Sequence, residues 1–289
     1  MADFEYSEAF SRNLGLVTKE EQEILKNSCV AIPGMGGTGG LHALVLARLG
    51  IGKFHLADFD CFELANFNRQ FGATLSTIGQ PKIQVLAKMI KEINPEAVIH
   101  TYENGINTQN IKSFLMGADI AIDALDAFVI DKRELLFSEC HKQNIPVITA
   151  GPIGMGTAFM IFMPGKMTFE QYFRFSGHTE IEKIVYLILG LTPQGLHLPS
   201  IVDRSYLDLI NKRGPSTPMG VCLASAIAGT ETLKILLKRG KIYPAPWYHH
   251  FDAYSGVWKR GYMFWGARNP TMILKRFLAK LKIRKLTRI

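Results

Sequence analysis

Short apolar runs alternate with amphipathic stretches through the first half of the chain. The runs at 29–32, 54–57, 97–101, 119–122 and 146–150 have the length of buried strands. Apolar spacing of about 3.6 residues predicts helices over 41–49, 81–93, 108–115 and 131–142, with another at 19–26 ahead of the first strand. In the 81–93 stretch Ile83, Leu86, Ala87 and Ile90 share one face. Strand and helix repeated in this order predict a Rossmann-like, doubly wound α/β fold with a mainly parallel sheet and its ligand at the C-terminal strand ends.

The pattern changes at Gly151. A glycine-rich turn (GPIGMG) leads to a strand at 158–162 and then to a polar and aromatic stretch reaching about residue 214. Only helical pieces at 180–189 and 203–212 are legible there. A long helix at 219–238 and a closing pair of strands at 247–253 and 257–264 complete an elaborated C-terminal half. We expect one body over 1–265, with a nucleotide-binding half at about 28–163 and a substrate-shaping, crossover region at about 164–265. A separate amphipathic helix is expected over 266–289.

The most specific segment is VAIPGMGGTGG, which places Gly34, Gly36, Gly37 and Gly39 between the first strand and the first helix of the alternation. Glycines let a backbone approach phosphates closely, and the free N–H groups of a helix start favour anions. Asp58 follows the second strand, where a carboxylate in such a unit meets ribose hydroxyls.

Beyond Asp58 the chain carries more chemistry than a dinucleotide site needs. Asp58-Phe59-Asp60 is followed by Asn66-Phe67-Asn68-Arg69-Gln70 and by Gly79-Gln80-Pro81-Lys82. Lys82 stands just after a helix-starting proline, where a cation opposes the macrodipole by about 0.3–1 kcal/mol unless an anion offsets it. Arg69 can give paired donors to phosphate and Asn66 an amide. A further strand end carries Asp123 and Asp126. A carboxylate at that place could hold Mg²⁺ bridging phosphates, and the plainer reading of Asp123 is a strand-end residue turned toward solvent.

These motifs, in this order, resemble the ThiF/MoeB family of adenylating enzymes, whose fold is shared with the activating enzymes of ubiquitin-like proteins. The resemblance spans about residues 10–163 and, more loosely, the helix at 219–238. It implies that Gly34, Gly36, Gly37, Gly39, Asp58, Asp60, Gln70 and Lys82 bind ATP. It implies that Asn66, Arg69 and Lys82 act on the α-phosphate region and that Asp126 positions Mg²⁺. Arg12, in FSRNLG, matches a family arginine that reaches the partner's site, which implies a homodimer. The implied reaction joins a substrate carboxylate to AMP and releases pyrophosphate. Alternatives are an enzyme like tRNA threonylcarbamoyladenosine dehydratase, an NAD-dependent oxidoreductase on the same first βαβ unit, or a catalytically silent dimer.

Two departures matter. Relatives often read D-N-x-x-x-R at the third strand end, whereas Ala127 follows Asp126 and Asp131 fills the arginine's place. The zinc-binding cysteine pairs of many relatives are missing, so no zinc is expected. The cysteines at 29, 61, 140 and 222 are widely spaced without C-x-x-C, against a disulfide framework. Cys222 falls in the apolar run of the long helix and is expected to pack as a small hydrophobe.

A hydrophobic share of 47% excludes a disordered chain. The N-terminus is acidic without an apolar core, unlike a signal peptide, so we expect a cytoplasmic protein. The formal charge of +8 is concentrated in the tail. Seven basic and no acidic residues follow Pro270, leaving +1 for the rest. In the tail Leu274, Phe277, Leu278 and Leu281 follow i, i+3, i+4, i+7 spacing. This predicts either docking on the body by that stripe or contact with an anionic membrane or RNA. The adjacent His249 and His250 should face opposite sides of their strand, and Trp247, Trp258 and Trp265 are expected in core or dimer contacts.

Overall fold

The computed structural model describes residues 4–208, 211 and 213–286. The chain enters through a short helix α1 (Tyr6–Ala9) and α2 (Lys19–Asn27), the latter started by a capping box between Thr18 and Glu21. It then alternates β1 (Cys29–Pro33), α3 (Gly37–Arg48), β2 (Lys53–Ala57), α4 (Lys82–Ile93), β3 (Val98–Tyr102), α5 (Ile111–Leu115), β4 (Ile120–Asp123), α6 (Ile130–Lys142) and β5 (Val147–Ile153). After β6 (Gly156–Phe162) come α7 (Phe169–Phe173), α8 (Glu180–Leu191) and α9 (Pro218–Leu236). The chain closes with β7 (Trp247–Asp252), β8 (Val257–Tyr262) and α10 (Pro270–Leu286).

All eight strands join one sheet in the order β3-β2-β1-β4-β5-β6-β7-β8. The pairings from β3 to β5 are parallel, and those from β5 to β8 are antiparallel. Strand order reverses between β1 and β4, so the crevice at the C-terminal ends of those two strands is where an open α/β sheet binds its ligand. Strand alternation divides the core. Val30, Ile32, Phe54, Leu56, Ile120 and Ile122 pack under α2, α3, α4 and α9, whereas Ala31, Ala121, Val147 and Met160 pack under α5 to α8. By length and apolarity alone α9 could span a bilayer, but here it packs on α3, β5 and β6.

Four expectations need correction. The helix expected over 203–212 is a single 3-10 turn, Arg204–Tyr206, followed by an isolated bridge from Asp208 to Arg213; residues 209, 210 and 212 lie outside the described residues. Asp203 accepts bonds from the Ser205 amide and hydroxyl, a local turn that competes with helix. Cys222 lies on α9 as expected but is exposed, on the face turned from the sheet, so it does not pack as a core residue. Trp258 and Trp265 are also exposed rather than packed in the core, which Trp258 meets edge-on at Phe159 with ring centroids 6.2 Å apart; the alternative expectation, a dimer contact, belongs with the homodimer proposed below.

The fourth concerns α10, which docks by the opposite face from its apolar stripe. Met272 and Arg276 are buried. Arg276 donates to the Phe173 carbonyl at 2.8 Å and lies 4.3 Å over the Tyr186 ring, while Lys280 pairs with Glu182 at 2.9 Å and Lys275 bonds the Pro193 carbonyl. Polar anchors set the rotation of this helix, and Leu274, Phe277, Leu278 and Leu281 are left outward. His249 and His250 do lie on opposite faces of β7: the first stacks on Phe159 and the second faces His197.

Candidate active site

The glycine loop is shaped by close approaches. At Gly34, φ is +92° and an added Cβ would lie 2.5 Å from the Ala124 carbonyl oxygen; at Gly39 it would lie 1.7 Å from the Gly34 carbonyl oxygen. These two glycines let the loop fold back on itself against the end of β4. Gly36 and Gly37 face elsewhere: a Cβ at Gly36 would meet only Gln70 Nε2, at 3.8 Å, and one at Gly37 would touch the Arg69 carbonyl and Val221. Helix α3 begins without a side-chain cap and without an acidic residue in its first turn, so its leading N–H groups are open to an anion.

Asp58 buttresses this loop. Its carboxylate accepts from Met35 N at 2.5 Å and from Asp60 N at 2.7 Å. Burial holds its carboxyl above the ordinary carboxylate range, and the two N–H bonds pull the other way. The segment from Asp60 to Lys82 closes on itself through Phe62 N to Gln80 O and Gly79 N to Phe62 O, with the Phe62 ring buried against Gly72. At the neck Lys82 donates its backbone N–H to the Asp60 carbonyl and its ammonium to Asp60 Oδ2, both at 2.9 Å. The Lys82 side chain is only 7% exposed, so the carboxylate compensates a desolvated cation at a helix start.

The structure brings Arg69, Gln70 and the glycine loop together. Gln70 is buried with its Oε1 unpartnered, and Arg69 holds the Ala65 carbonyl and Asn68 Oδ1, each at 2.9 Å. Asn66 is buried and accepts from Glu63 N. Asn68 extends the cluster by donating to the Ser216 carbonyl at 2.9 Å, just before α9. Thr217 caps α9 through Gly220 N and donates to the Gly154 carbonyl in the β5–β6 turn.

At the end of β4 the two aspartates differ from expectation. Asp123 is buried rather than turned to solvent, and it pairs with Arg133, whose Nε lies 2.8 Å from Asp123 Oδ2. Arg133 also donates to the carbonyls of Leu125 and Asp126, so one side chain ties the whole 123–126 turn. Asp126 is exposed, with one oxygen accepting from Phe128 N and its carboxylate open to solvent. Among the described residues no three acidic, histidine or cysteine side chains gather as a metal cluster. A single accessible carboxylate beside the glycine loop could hold Mg²⁺, which keeps waters and needs few protein ligands.

Two further placements stand out. Arg12 lies on the 3-10 turn Ser11–Asn13, where Asn13 bonds the Leu49 carbonyl beyond the C-terminus of α3, so it is not brought to the glycine loop of its own chain. Arg133, Asn68 and Thr217 were not among the residues expected from sequence. A buried aspartate at a strand end needs a cation, and Arg133 stands two positions beyond the place where the family pattern puts one.

Comparison with known proteins bears on this geometry. The tRNA threonylcarbamoyladenosine dehydratase of Bacillus subtilis (strain 168) is 41% identical over 142 residues, covering 49% of this chain and 55% of that protein. The sulfur carrier protein ThiS adenylyltransferase of Escherichia coli (strain K12) is 32% identical over 157 residues, 54% of this chain and 62% of that protein. The chain thus spans little more than half the length of these curated relatives. The fold matches the crystal structure of E. coli MccB with ATP at a TM-score of 0.66, with 22% identity over 88% of this chain and 70% of that one. Residues 10–266 match the ThiF family, and the chain belongs to it.

Proposed function

We propose that the protein is an ATP-dependent adenylyltransferase that activates a substrate carboxylate. The observation that carries this reading is the convergence of Arg69, Gln70 and the Lys82–Asp60 pair around an uncapped α3 N-terminus beside which Gly36 leaves open space. A carboxylate oxygen attacks the α-phosphorus of ATP and forms a P–O bond. The bond from that phosphorus to the β-phosphate oxygen breaks, and pyrophosphate leaves with the electron pair.

A carboxylate is already a nucleophile, so the protein's part is positioning and neutralisation of charge. Gly36 and Gly37 with the α3 N–H groups hold phosphate oxygens, Asp58 anchors the loop and takes the ribose, and Arg69, Asn66 and Lys82 face the α-phosphate region. Asp60 holds the Lys82 ammonium in place until polyphosphate competes for it. Mg²⁺, held through Asp126, would supply further neutralisation of the phosphates. Arg12 completes the constellation across a two-fold homodimer, since its place at the far end of α3 keeps it from its own loop. Supplies of ATP and carboxylate fit a cytoplasmic setting.

A second reading shares the chemistry and specifies the acceptor as a carboxylate borne on tRNA, favoured by the 41% identity to a dehydratase named for that nucleoside. The oxidoreductase alternative is set aside, because membership of the ThiF family accounts for the N-F-N-R-Q and G-Q-P-K segments, which hydride transfer does not use. The test follows pyrophosphate and AMP separately, with ATP and Mg²⁺, across peptide, small-molecule and tRNA fractions of a cell extract. Release that depends on one fraction and is lost in Lys82→Ala supports adenylation and identifies the substrate class. No stimulated release and no ATP binding would overturn it.

A further inference from the structure

The outward face of α10 is apolar although the helix is already docked. Ile273, Leu274, Phe277, Leu278 and Leu281 are 42–58% exposed, and at 100° per residue they fill an arc of about 140° opposite the docking residues Met272 and Arg276. Just ahead of the helix Phe264 and Trp265 are 60% and 66% exposed. Residues 270–289 carry seven cations and no acidic residue. A contiguous exposed stripe of this kind marks an interaction site rather than chance surface exposure.

We propose that α10 is a membrane-surface helix that lays this stripe into the interface of an anionic phospholipid bilayer while its other face remains held on α8. Charge complementarity decides the occupant. Of the seven cations, the three at Lys275, Arg276 and Lys280 are engaged in docking, which leaves four by sequence, so a second copy would bring four cations against four with no acidic residue on either tail. RNA would be served by the cations and a few aromatic rings, and would leave Ile273, Leu274, Leu278 and Leu281 without a role. An anionic lipid surface uses both features: acyl chains take the apolar arc and headgroups take the cations not engaged in docking. Docking by Arg276, Lys280 and Lys275 fixes the rotation of the helix, so the stripe is presented without reorganisation.

The experiment sediments the full chain with vesicles of phosphatidylcholine alone and of phosphatidylcholine with about one-third phosphatidylserine. The expected result is binding to the anionic vesicles only, weakened by salt, and reduced at least about tenfold in Phe277→Glu/Leu278→Glu. Both positions are exposed, so circular dichroism and ATP binding of this variant should match the parent. Equal partition of variant and parent would overturn the proposal, as would failure to prefer anionic vesicles. So would binding to bulk tRNA in place of vesicles, or a change of sedimentation state in the variant without lipid, which would make the stripe a contact between proteins.

Discussion

Arg133 Nε lies 2.8 Å from Asp123 Oδ2 with both side chains buried, and the same guanidinium holds the carbonyls of Leu125 and Asp126. The turn it ties is the one against which Gly34 and Gly39 pack. Removing one partner of such a pair leaves an uncompensated buried charge. Arg133→Met should therefore lower unfolding free energy by about 3–5 kcal/mol. In chemical denaturation, a change below about 1 kcal/mol would show that the pair contributes no more than a surface contact. Arg133→Lys keeps the charge but not the three-way reach, so it should recover part of the stability while ATP affinity stays reduced.

Two glycines in one loop should respond differently to the same methyl group. Gly39→Ala places a Cβ against the Gly34 backbone and should disrupt the loop and stability together. Gly36→Ala meets only the end of Gln70 and should fold with a melting temperature near that of the parent. It should nevertheless weaken ATP at least about tenfold if phosphates approach this backbone. Isothermal titration beside thermal melting separates the outcomes; unimpaired ATP binding in Gly36→Ala would move the phosphate site elsewhere.

Much of this arrangement was legible in the sequence. The alternation of apolar runs and 3.6-residue spacing located the strands and helices of the first half within a few residues, because most are buried on the face that the period marks; β3, at the sheet edge, is the exception, with no fully buried residue. Helix α7 went unread although Thr168 and Gln171 form its capping box, since five residues give too short a period to see. The rotation of α10 was legible only from its long-range anchors: its apolar residues look inward by pattern, but Arg276 and Lys280 find partners on other elements. For the same reason the Asp123–Arg133 pair could not be read from spacing alone, because it depends on a turn between a strand and a helix.

Lys82 and Asp60 give a third prediction. Asp60→Ala leaves a 7% exposed ammonium without its carboxylate and should cost about 1–3 kcal/mol. ATP would then supply the missing negative charge, so the ligand-induced rise in melting temperature should be larger in Asp60→Ala than in the parent. A smaller rise would indicate that Asp60 itself contacts the nucleotide. Lys82→Ala should instead retain most of its stability and lose about 10²–10³ in the rate of pyrophosphate release.

Acid should destabilise the fold through its histidines. Burial lowers His42, His249 and His250 to about 4 from an ordinary 6.5, the cations Arg260 and Lys234 adding to the effect at His249. Between those values the unfolded chain binds protons that the native chain refuses. Stability therefore falls as pH drops from about 6.5 to about 4, by about 1.4 kcal/mol per pH unit for each fully excluded proton. Urea unfolding at several pH values in this window should show the midpoint falling, and His249→Gln should flatten the slope by less than about a third, because burial also lowers His55 and His197. A midpoint independent of pH would mean that these rings are hydrated.

The segment between α8 and α9 is secured close to its exit. Asn68 holds Ser216 from beside Arg69, and Thr217 ties the start of α9 to Gly154. Upstream of those fastenings lie the exposed side chains of Leu198, Val202, Tyr206 and Leu207. The start of the stretch is fastened too: His197 is buried against Gly154 and faces His250, and Gln194 donates to the Tyr248 hydroxyl, so the exposed apolar side chains lie between two secured ends. On the proposed function, grafting the corresponding stretch from another family member between fixed points at Leu198 and Ser216, which keeps Gln194 and His197, should exchange the acceptor while leaving ATP recognition in place, so that one scaffold would serve as a common engine for different carboxylates.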